Sequence, residues 1–349
     1  LRILFSAWSI DPYLTTSARY EAFRELGHEL ETVALDPSAP PAPRLLRSLE
    51  HWTWLSPRVF ALNRRLLETA RRQRPDLIWI EKGTYVWPDT LRALKRETGA
   101  PIVYHNTDDW HATTRLQKMH WRHLLRGLPL YDLYVTSNLY NVHEFERAGF
   151  VPVHHMELAA NPYLPEPEAL SDQERRRLGG PVGFIGHWEP ETERLLLHLA
   201  RNGIELKVYG GGWEKARAAG ELGEALQHRG VWGQEYANAI AAFDIHLGIV
   251  SKWNRNHTAS RTFQMPAFGA FMIHERNEVV RKLFEEGVEI ELFGDADELL
   301  EKCRHYLAHP DERRRIGEGG RRRCVESGYF ETDRVRELLP ALEKRVRGA

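Results

Sequence analysis

Residues 247–275, LGIVSKWNRNHTASRTFQMPAFGAFMIHE, pass from an apolar strand-like run through a polar loop with two cations into an amphipathic helical stretch and a second apolar run. A helix onset near Thr258 to Arg261 would aim unpaired backbone N–H groups and the positive end of the helix dipole at whatever the loop holds, while Lys252, Arg255 and Arg261 add mobile charge. A diphosphate suits such a site. The alternative is a helix capped by Thr258 with solvated basic residues around it. Upstream, FIGHWEPETERLLLHL (184–199) turns from strand to helix through Gly186, which lets a ligand approach the backbone, and Pro190 fits the first helical turn. The Gly210-Gly211-Gly212 run of YGGGW has a phosphate-loop location without the GxGxxG spacing of dinucleotide binders, so a flexible turn explains it equally well.

In the first half, polar groups gather after apolar runs: Asp11, Thr15, Thr16 and Ser17 follow LFSAW, Glu81-Lys82 follow DLIWI, and YHNTDDW carries His105 through Asp109. Thr16 or Ser17 suits a helix N-cap. The neighbouring Asp108 and Asp109 offer hard oxygen ligands, but two carboxylates fall well short of a cation's coordination set.

These groups need elements to hold them. Apolar runs at 2–8, 30–35, 76–81, 101–105, 132–137 and 151–156, then at 182–187, 204–210, 230–233, 243–250, 270–274 and 288–293, alternate with helical-period segments or linkers. Such alternation predicts parallel βαβ units in two similar halves. Residues 157–181 hold four prolines, a glycine pair and a polar mixture, which predicts an interdomain connection and hinge. The expected class is therefore α/β, with two Rossmann-like, doubly wound domains facing across a cleft and ligands at the carboxyl ends of the strands.

A chain of 349 residues is long for one core and suits two domains. With 48 basic and 49 acidic residues, net charge −1, it has no global field to draw it to nucleic acid or lipid. Cys303 and Cys324 are too few for a disulfide framework and lack metal-ligand spacing, so they read as reduced structural thiols. The opening LRILFSAW is strand-like rather than a leader, and no stretch approaches the ~18 uninterrupted apolar residues that span a bilayer. A cytoplasmic protein is expected. Locally, residues 44–74 carry eight arginines against Glu50 and Glu68, interleaved with apolar residues; they suit either a peripheral membrane contact or two ordinary helices with solvated arginines.

The run from Lys252 to Glu275 resembles the Lys-x-Asn, Thr-x-x-Arg-x-Phe-Glu-x-Pro-Ala-x-Gly signature of CgeB-like glycosyltransferases, within the GT-B, group 1 class. Lys252, Asn254, Thr258, Arg261, Phe263, Pro266, Ala267 and Gly269 match it, and residues 283–324 are also similar to that family. One position departs: Gln264 stands where the family usually carries a Glu that binds the ribose hydroxyls, and its amide still accepts and donates without a carboxylate's charge.

The resemblance implies an N-terminal acceptor-binding domain over 1–160, completed by a C-terminal helix at 332–349, and a nucleotide-sugar-binding domain over 161–331. It implies transfer of a sugar from a nucleotide diphosphate sugar, which is a substrate rather than a cofactor, to an unidentified acceptor. No cofactor and no metal are called for, because helix dipole and cations replace the ion. Lys252 and Arg261 would stabilise charge growing on the leaving phosphate. Gly186, Gly211, Asn254, Arg255, Asn256, Thr258 and Gln264 would bind the donor nucleotide, with backbone groups of Val231 and Trp232 at the base edge; Trp232 and Tyr236 suit core aromatics equally. Group 1 enzymes point to retention of configuration, in which the departing phosphate helps remove the acceptor's proton. Inversion would instead need a general base, from Asp11, His105 or Asp109. Two alternatives stand beside this: a catalytically inactive GT-B scaffold that binds, and a GT-B-fold sugar-nucleotide epimerase. Oligomeric state is not legible in the sequence.

Overall fold

The computed structural model describes residues 1–35, 50–110, 115–217 and 219–348; the expected basic stretch thus lies partly, at 44–49, outside the described residues. The chain divides into two compact units, Leu1–Glu157 with Glu331–Ala349, and Leu158–Phe330.

Unit 1 holds strands β1 (Arg2–Ala7), β2 (Glu29–Ala34), β3 (Leu77–Glu81), β4 (Ile102–Asn106), β5 (Leu133–Thr136) and β6 (Val153–His155) in the order β2-β1-β3-β4-β5-β6. Every ladder is parallel, with Ile3 opposite Leu77 and Ile78 opposite Ile102. Parallel neighbours need a crossover, and helices at Thr15–Glu25, Pro57–Gln73, Pro88–Thr98 and Leu139–Arg147 supply four of them. Covered on both faces, β3 and β4 are buried at every residue, which is why LIWIE and IVYHN read as continuous rather than alternating runs. Local signals set the helix ends. The Ser56 hydroxyl accepts the Val59 N–H before Pro57, and Gly99 closes Pro88–Thr98 at φ 70°. Ser17 is not a cap: Leu14 takes that position, and the Ser17 hydroxyl donates back to the Asp11 carbonyl.

The C-terminal helix Glu331–Arg347 packs on Thr15–Glu25, and a buried charge cluster fastens it there. Arg19, 2 % exposed, lies 2.7 Å from Glu81 Oε1 and 2.8 Å from Glu331 Oε1. Glu81 also accepts from Trp79 Nε1 and from the His105 ring. Burial alone would raise its carboxyl, yet Arg19 and then His105 hold it down at about 2, whereas burial keeps Glu331 raised.

Most arginines of helix Pro57–Gln73 meet acids: Arg58 pairs with Glu50, Arg64 with Glu68, Arg71 with Glu97 and Arg72 with Glu31. Of these acids only Glu97 and Glu31 lie outside the 44–74 stretch, so they offset part of its local charge excess. Among the described residues no helix is long and apolar enough to cross a membrane.

Unit 2 holds β7 (Gly180–Ile185), β8 (Leu206–Tyr209), β9 (Phe243–Gly248), β10 (Met272–Glu275) and β11 (Glu291–Phe293), all parallel in the order β11-β10-β9-β7-β8. Val182, Phe184, Val208, Ile245, Leu247 and Ile273 form one core with Leu196 and Leu199 of helix Pro190–Arg201, Leu299 of helix Ala296–Ala308 and Ile316 of helix Pro310–Glu326. Helix Pro310–Glu326 contains the poor helix formers Gly317 and Gly319 because the backbone approaches there: a Cβ would sit 2.3 Å from the Gly269 carbonyl oxygen and 2.1 Å from that of Val288. Both cysteines are buried and free, and burial pushes their thiols up to about 12.

Two expectations fail here. GVWG (230–233) is not a strand; Val231 is buried against Tyr209 and Phe243, and Gly233 at φ 54° opens helix Gly233–Ala242. Nor is 157–181 a free connection. Ala160 N–H donates to the Tyr329 carbonyl, Asn161 N–H to the Gln264 side chain and Glu168 N–H to Asn238, and the segment then forms helix Asp172–Leu178 with a capping box at Ser171. Its prolines and polar residues satisfy a surface strap of unit 2.

Two predictions follow from buried ionisable groups. Burial pulls His246 on β9 and His274 on β10 down from 6.5 to about 4, so below pH 6.5 the unfolded chain takes up protons that the folded one refuses. Stability falls as pH drops from 6.5 to 4, by on the order of 1–3 kcal/mol per histidine. Denaturant titrations at several pH values measure the slope, and His246→Gln flattens it. In unit 1, Arg19→Met leaves two buried carboxylates without their cation and costs about 3–5 kcal/mol; adding Glu331→Gln recovers part of that loss in the same titrations.

Candidate functional site

In an open parallel sheet, ligands settle beyond the carboxyl ends of the strands where successive connections leave toward opposite sides. In unit 2 that point lies between β7 and β9, and in unit 1 between β1 and β3.

The loop after β7, residues 186–189, meets the loops after β8 and β9. Gly210, at φ 136°, lies so close to it that a Cβ would sit 1.9 Å from the Gly186 carbonyl oxygen, and Trp188 N–H donates to the Gly211 carbonyl at 3.0 Å. Glu189, 9 % exposed, is the latch to the loop after β9. Its carboxylate accepts from the Ser251 hydroxyl, from Lys252 N–H at 2.8 Å and from Trp253 N–H at 3.4 Å. Ser251 Oγ in turn accepts Asn254 N–H at 3.1 Å, and Asn256 N–H donates to the Ser251 carbonyl.

That loop delivers the chain to helix Ser260–Ala267, whose N-cap is Ala259 rather than Thr258. Ala259 has no side-chain acceptor, and Thr262 substitutes: its hydroxyl accepts Ala259 N–H at 2.9 Å and donates to His274 Nε2 at 2.9 Å, while His274 Nδ1–H donates to the Glu275 carbonyl. A neutral imidazole is what this chain requires, and the lowered His274 value agrees with it.

Arg261, in the first turn of this helix, is the unusual group. It is partly buried, with its Nε sealed from water and without a hydrogen-bond partner, and Nη2 reaches only the Ile249 carbonyl at 3.4 Å. The guanidinium lies 5.5 Å from the Phe184 ring centre and 3.3 Å from where a Cβ on Gly186 would be. Burial pulls its pKa below the ordinary value. Among the described residues no carboxylate pairs with it. An oriented cation at a helix N-terminus fits a phosphate-sized anion. Lys252, by contrast, already pairs with Glu275, whose other oxygen, Oε2, is buried without a partner. Gly186 is a correction: its backbone is closed to a ligand, because a Cβ there would sit 2.6 Å from the Phe184 ring, its N–H donates to the Tyr209 carbonyl and its carbonyl accepts from Trp213 Nε1.

The remaining sequence candidates distribute unevenly. Gly186, Gly211, Lys252, Asn254, Arg255, Asn256 and Arg261 share this loop cluster, and Thr258 lies just before the helix, 4 % exposed. Arg255 holds φ 47°. Val231 and Trp232 follow Arg229, whose carbonyl accepts Gly210 N–H at the end of β8. Trp232 is 65 % exposed, so it is no core aromatic. Gln264 is a correction. It is 3 % exposed and its side-chain oxygen accepts Asn161 N–H at 2.7 Å, so the oxygen expected to take a ribose hydroxyl is instead engaged by the 158–168 strap.

In unit 1, a cavity of about 410 Å³ opens at the β1/β3 switch, lined by Trp8 after β1, Glu81 and Lys82 at the end of β3, Asp108 after β4, Arg19 and an aromatic wall. Asp11, His105 and Asp109 do not line it. Asp11 is exposed in the loop after β1, and Asp109 accepts from Asn141 at 2.8 Å. His105 is corrected as a base: it is fully buried, stacked on Trp79, and its Nδ1 bonds Glu81. Asp108 pairs with Lys82 at 2.6 Å, so the Asp108–Asp109 doublet does not converge. Sequence inspection missed Glu189, Thr262, His274 and the cavity's His120. Only Glu189, before Pro190 at a strand-to-helix turn, had any local signal.

Residues 187–340 match the family model described as glycosyl transferase-like. No curated protein matches the chain in sequence. Among solved structures it is similar to sucrose-phosphate synthase from Thermosynechococcus elongatus (TM-score 0.68, 14 % identity, all of both chains covered). It is also similar to HepE of Anabaena in complex with UDP and glucose (TM-score 0.65, 14 % identity, 99 % of this chain and 100 % of that one). A putative UDP-N-acetylglucosamine 2-epimerase from Listeria monocytogenes shares the fold as well (TM-score 0.57, 10 % identity, 100 % and 97 % covered). Two parallel Rossmann-like sheets with these neighbours make the fold GT-B, and residues 187–340 of it carry the match to the glycosyl transferase-like model.

Proposed function

We propose that this protein is a glycosyltransferase that moves a sugar from a nucleoside diphosphate sugar, held in unit 2, to an acceptor held in unit 1. The observation that carries the proposal is Arg261: a partly buried guanidinium with no carboxylate partner among the described residues, at a helix N-terminus on the β7/β9 switch, inside the glycosyl transferase-like match. A cation left so poorly compensated is costly in the empty protein, and a diphosphate offsets that cost. UDP and glucose in the complex of the HepE neighbour support this donor class. The signature around Lys252, Asn254, Thr258 and Arg261 supports a CgeB-like member of the group 1 transferases.

In the mechanism proposed, the diphosphate lies against the first turn of helix Ser260–Ala267 and Arg261. As the bond from the anomeric carbon to the diphosphate breaks, negative charge builds on the leaving oxygen. Arg261 and the oriented N–H groups are already in position to meet it, which lowers the barrier without reorganisation. Lys252 contributes by swinging from Glu275 to phosphate, freeing that carboxylate. With Gln264 engaged by Asn161, Glu275 is the acid left to accept donor hydroxyls. Retention, with the phosphate assisting removal of the acceptor's proton, fits the poor access of His105 and the distance of Asp11 and Asp109 from the cavity lining. Cations and a helix terminus replace a divalent ion. Gln264 no longer argues for an inactive scaffold, because its amide serves packing.

Thermal melts with UDP, GDP, dTDP and their sugars identify the donor, since a ligand of the native state raises the melting temperature by mass action. Arg261→Ala abolishes the shift from the best nucleotide and lowers turnover about 10²–10³-fold, with Lys252→Ala weaker in effect. Full turnover in Arg261→Ala refutes the assignment. Product analysis separates transfer from epimerisation. Activity survives EDTA; loss on chelation with recovery by magnesium or manganese overturns the metal-free mechanism.

A further inference from the structure

The unit 1 cavity has a chemistry of its own that bears on the acceptor. We propose that it binds a neutral, polyhydroxylated ring, a saccharide without phosphate or carboxylate, against its tryptophan wall. Its role as the acceptor rests on the transferase function above; its binding does not.

Size comes first. At about 410 Å³ the cavity lies within the ~300–1,000 Å³ of small-molecule sites. Trp54 meets Trp8 and Tyr85 edge to face and Trp8 tilts against Tyr85, with ring centres 5.0–6.3 Å apart, and Trp121 joins them in the lining. Such a wall offers apolar surface to the C–H face of a sugar ring while leaving its hydroxyl edge for polar partners.

Charge then selects among ligands. Both cations that line the cavity are already compensated: Lys82 by Asp108, and Arg19 by Glu81 and, behind it, Glu331. Arg19 thus already faces two acids, Glu81 and Glu331. An anionic ligand would find no uncompensated positive charge here among the described residues, in contrast to Arg261 in unit 2. A hydroxyl-bearing ligand finds acceptors and donors instead. Thr15, Thr16, Thr84 and Thr107 line the cavity, and ion-paired Asp108 keeps lone pairs for O–H donors.

His120 adds a directed acceptor. Its Nδ1–H donates to the His51 carbonyl at 2.6 Å, so Nε2 is the ring atom left for a ligand, and no described residue bonds it. Burial lowers its pKa and keeps that lone pair free near neutral pH. The wall itself is held in uncommon backbone: Trp54 has φ 51° and Lys82 φ 59°, the left-handed region that ordinary side chains avoid and that binding sites retain.

The test is a titration of the intact protein, followed by tryptophan fluorescence and calorimetry, with maltose, cellobiose, methyl glucoside, glucose 6-phosphate and indole. At least one neutral saccharide binds, glucose 6-phosphate binds no more tightly than methyl glucoside, and Trp54→Ala and His120→Ala each weaken saccharide binding at least tenfold. Trp54→Phe and His120→Gln guard against misfolding: both keep the fold by circular dichroism, and His120→Gln, whose amide still offers an acceptor, restores part of the affinity. Tenfold tighter binding of the phosphorylated sugar, binding of indole alone, or binding of no saccharide overturns the proposal. UDP is titrated separately on the same samples. Absent UDP binding with saccharide binding intact refutes the donor site and leaves the cavity's assignment standing, so the two failures are distinguishable.

Discussion

Every ladder in both sheets is parallel, and that single constraint dictates where chemistry can occur. A parallel strand cannot be followed by its neighbour through a tight turn; the chain must return along a covering helix, so all strands of a sheet end on the same side. Loops and helix N-termini therefore collect at one edge. Where the strand order reverses, at β1/β3 and at β7/β9, adjacent connections part and leave a crevice. Each unit's cluster of candidate side chains lies at that edge.

Within this frame, different interactions do the local holding. In unit 2 a carboxylate ties one loop to the next: Glu189 gathers the Ser251 hydroxyl and two successive backbone N–H groups, fixing the path by which the chain enters helix Ser260–Ala267. The Thr262–His274 chain fixes that helix start from the other side. Arg261 is thereby held without a paired carboxylate among the described residues. In unit 1 the logic inverts. Arg19 is surrounded by acid, and its pairing with Glu331 joins the last helix to the first. One unit keeps a cation available and the other neutralises it, which is why the two crevices suit ligands of different charge.

Burial of ionisable groups also separates structural from reactive ones. His105, Glu81 and Gln264 looked chemically capable, yet all three are buried, Glu81 is shared among Arg19, Trp79 and His105, and the Gln264 oxygen is taken by Asn161 N–H. A group whose lone pairs are consumed by the protein has little left for a substrate. Arg261, Glu275 Oε2 and His120 Nε2 keep hydrogen-bonding capacity at the loop edges.

Much of the architecture was legible in the sequence. Continuous apolar runs such as LIWIE and FDIHLGIV announced strands covered on both faces, and their alternation with helical periods announced parallel α/β units, because burial acts locally on each segment. The cationic loop before an amphipathic helix at 252–267 was legible for the same reason: loop, helix onset and Arg261 are neighbours in sequence. What the chain could not reveal were partnerships between residues far apart in it. Asn161 meets Gln264 across about a hundred positions, Glu189 meets Lys252 across sixty-three, and Arg19 meets Glu331 across more than three hundred. Local pattern determines which element a residue joins; only the packed sheets decide which side chain finds a partner and which is left with a free lone pair or charge, since a hydrogen bond depends on distances that sequence separation does not encode.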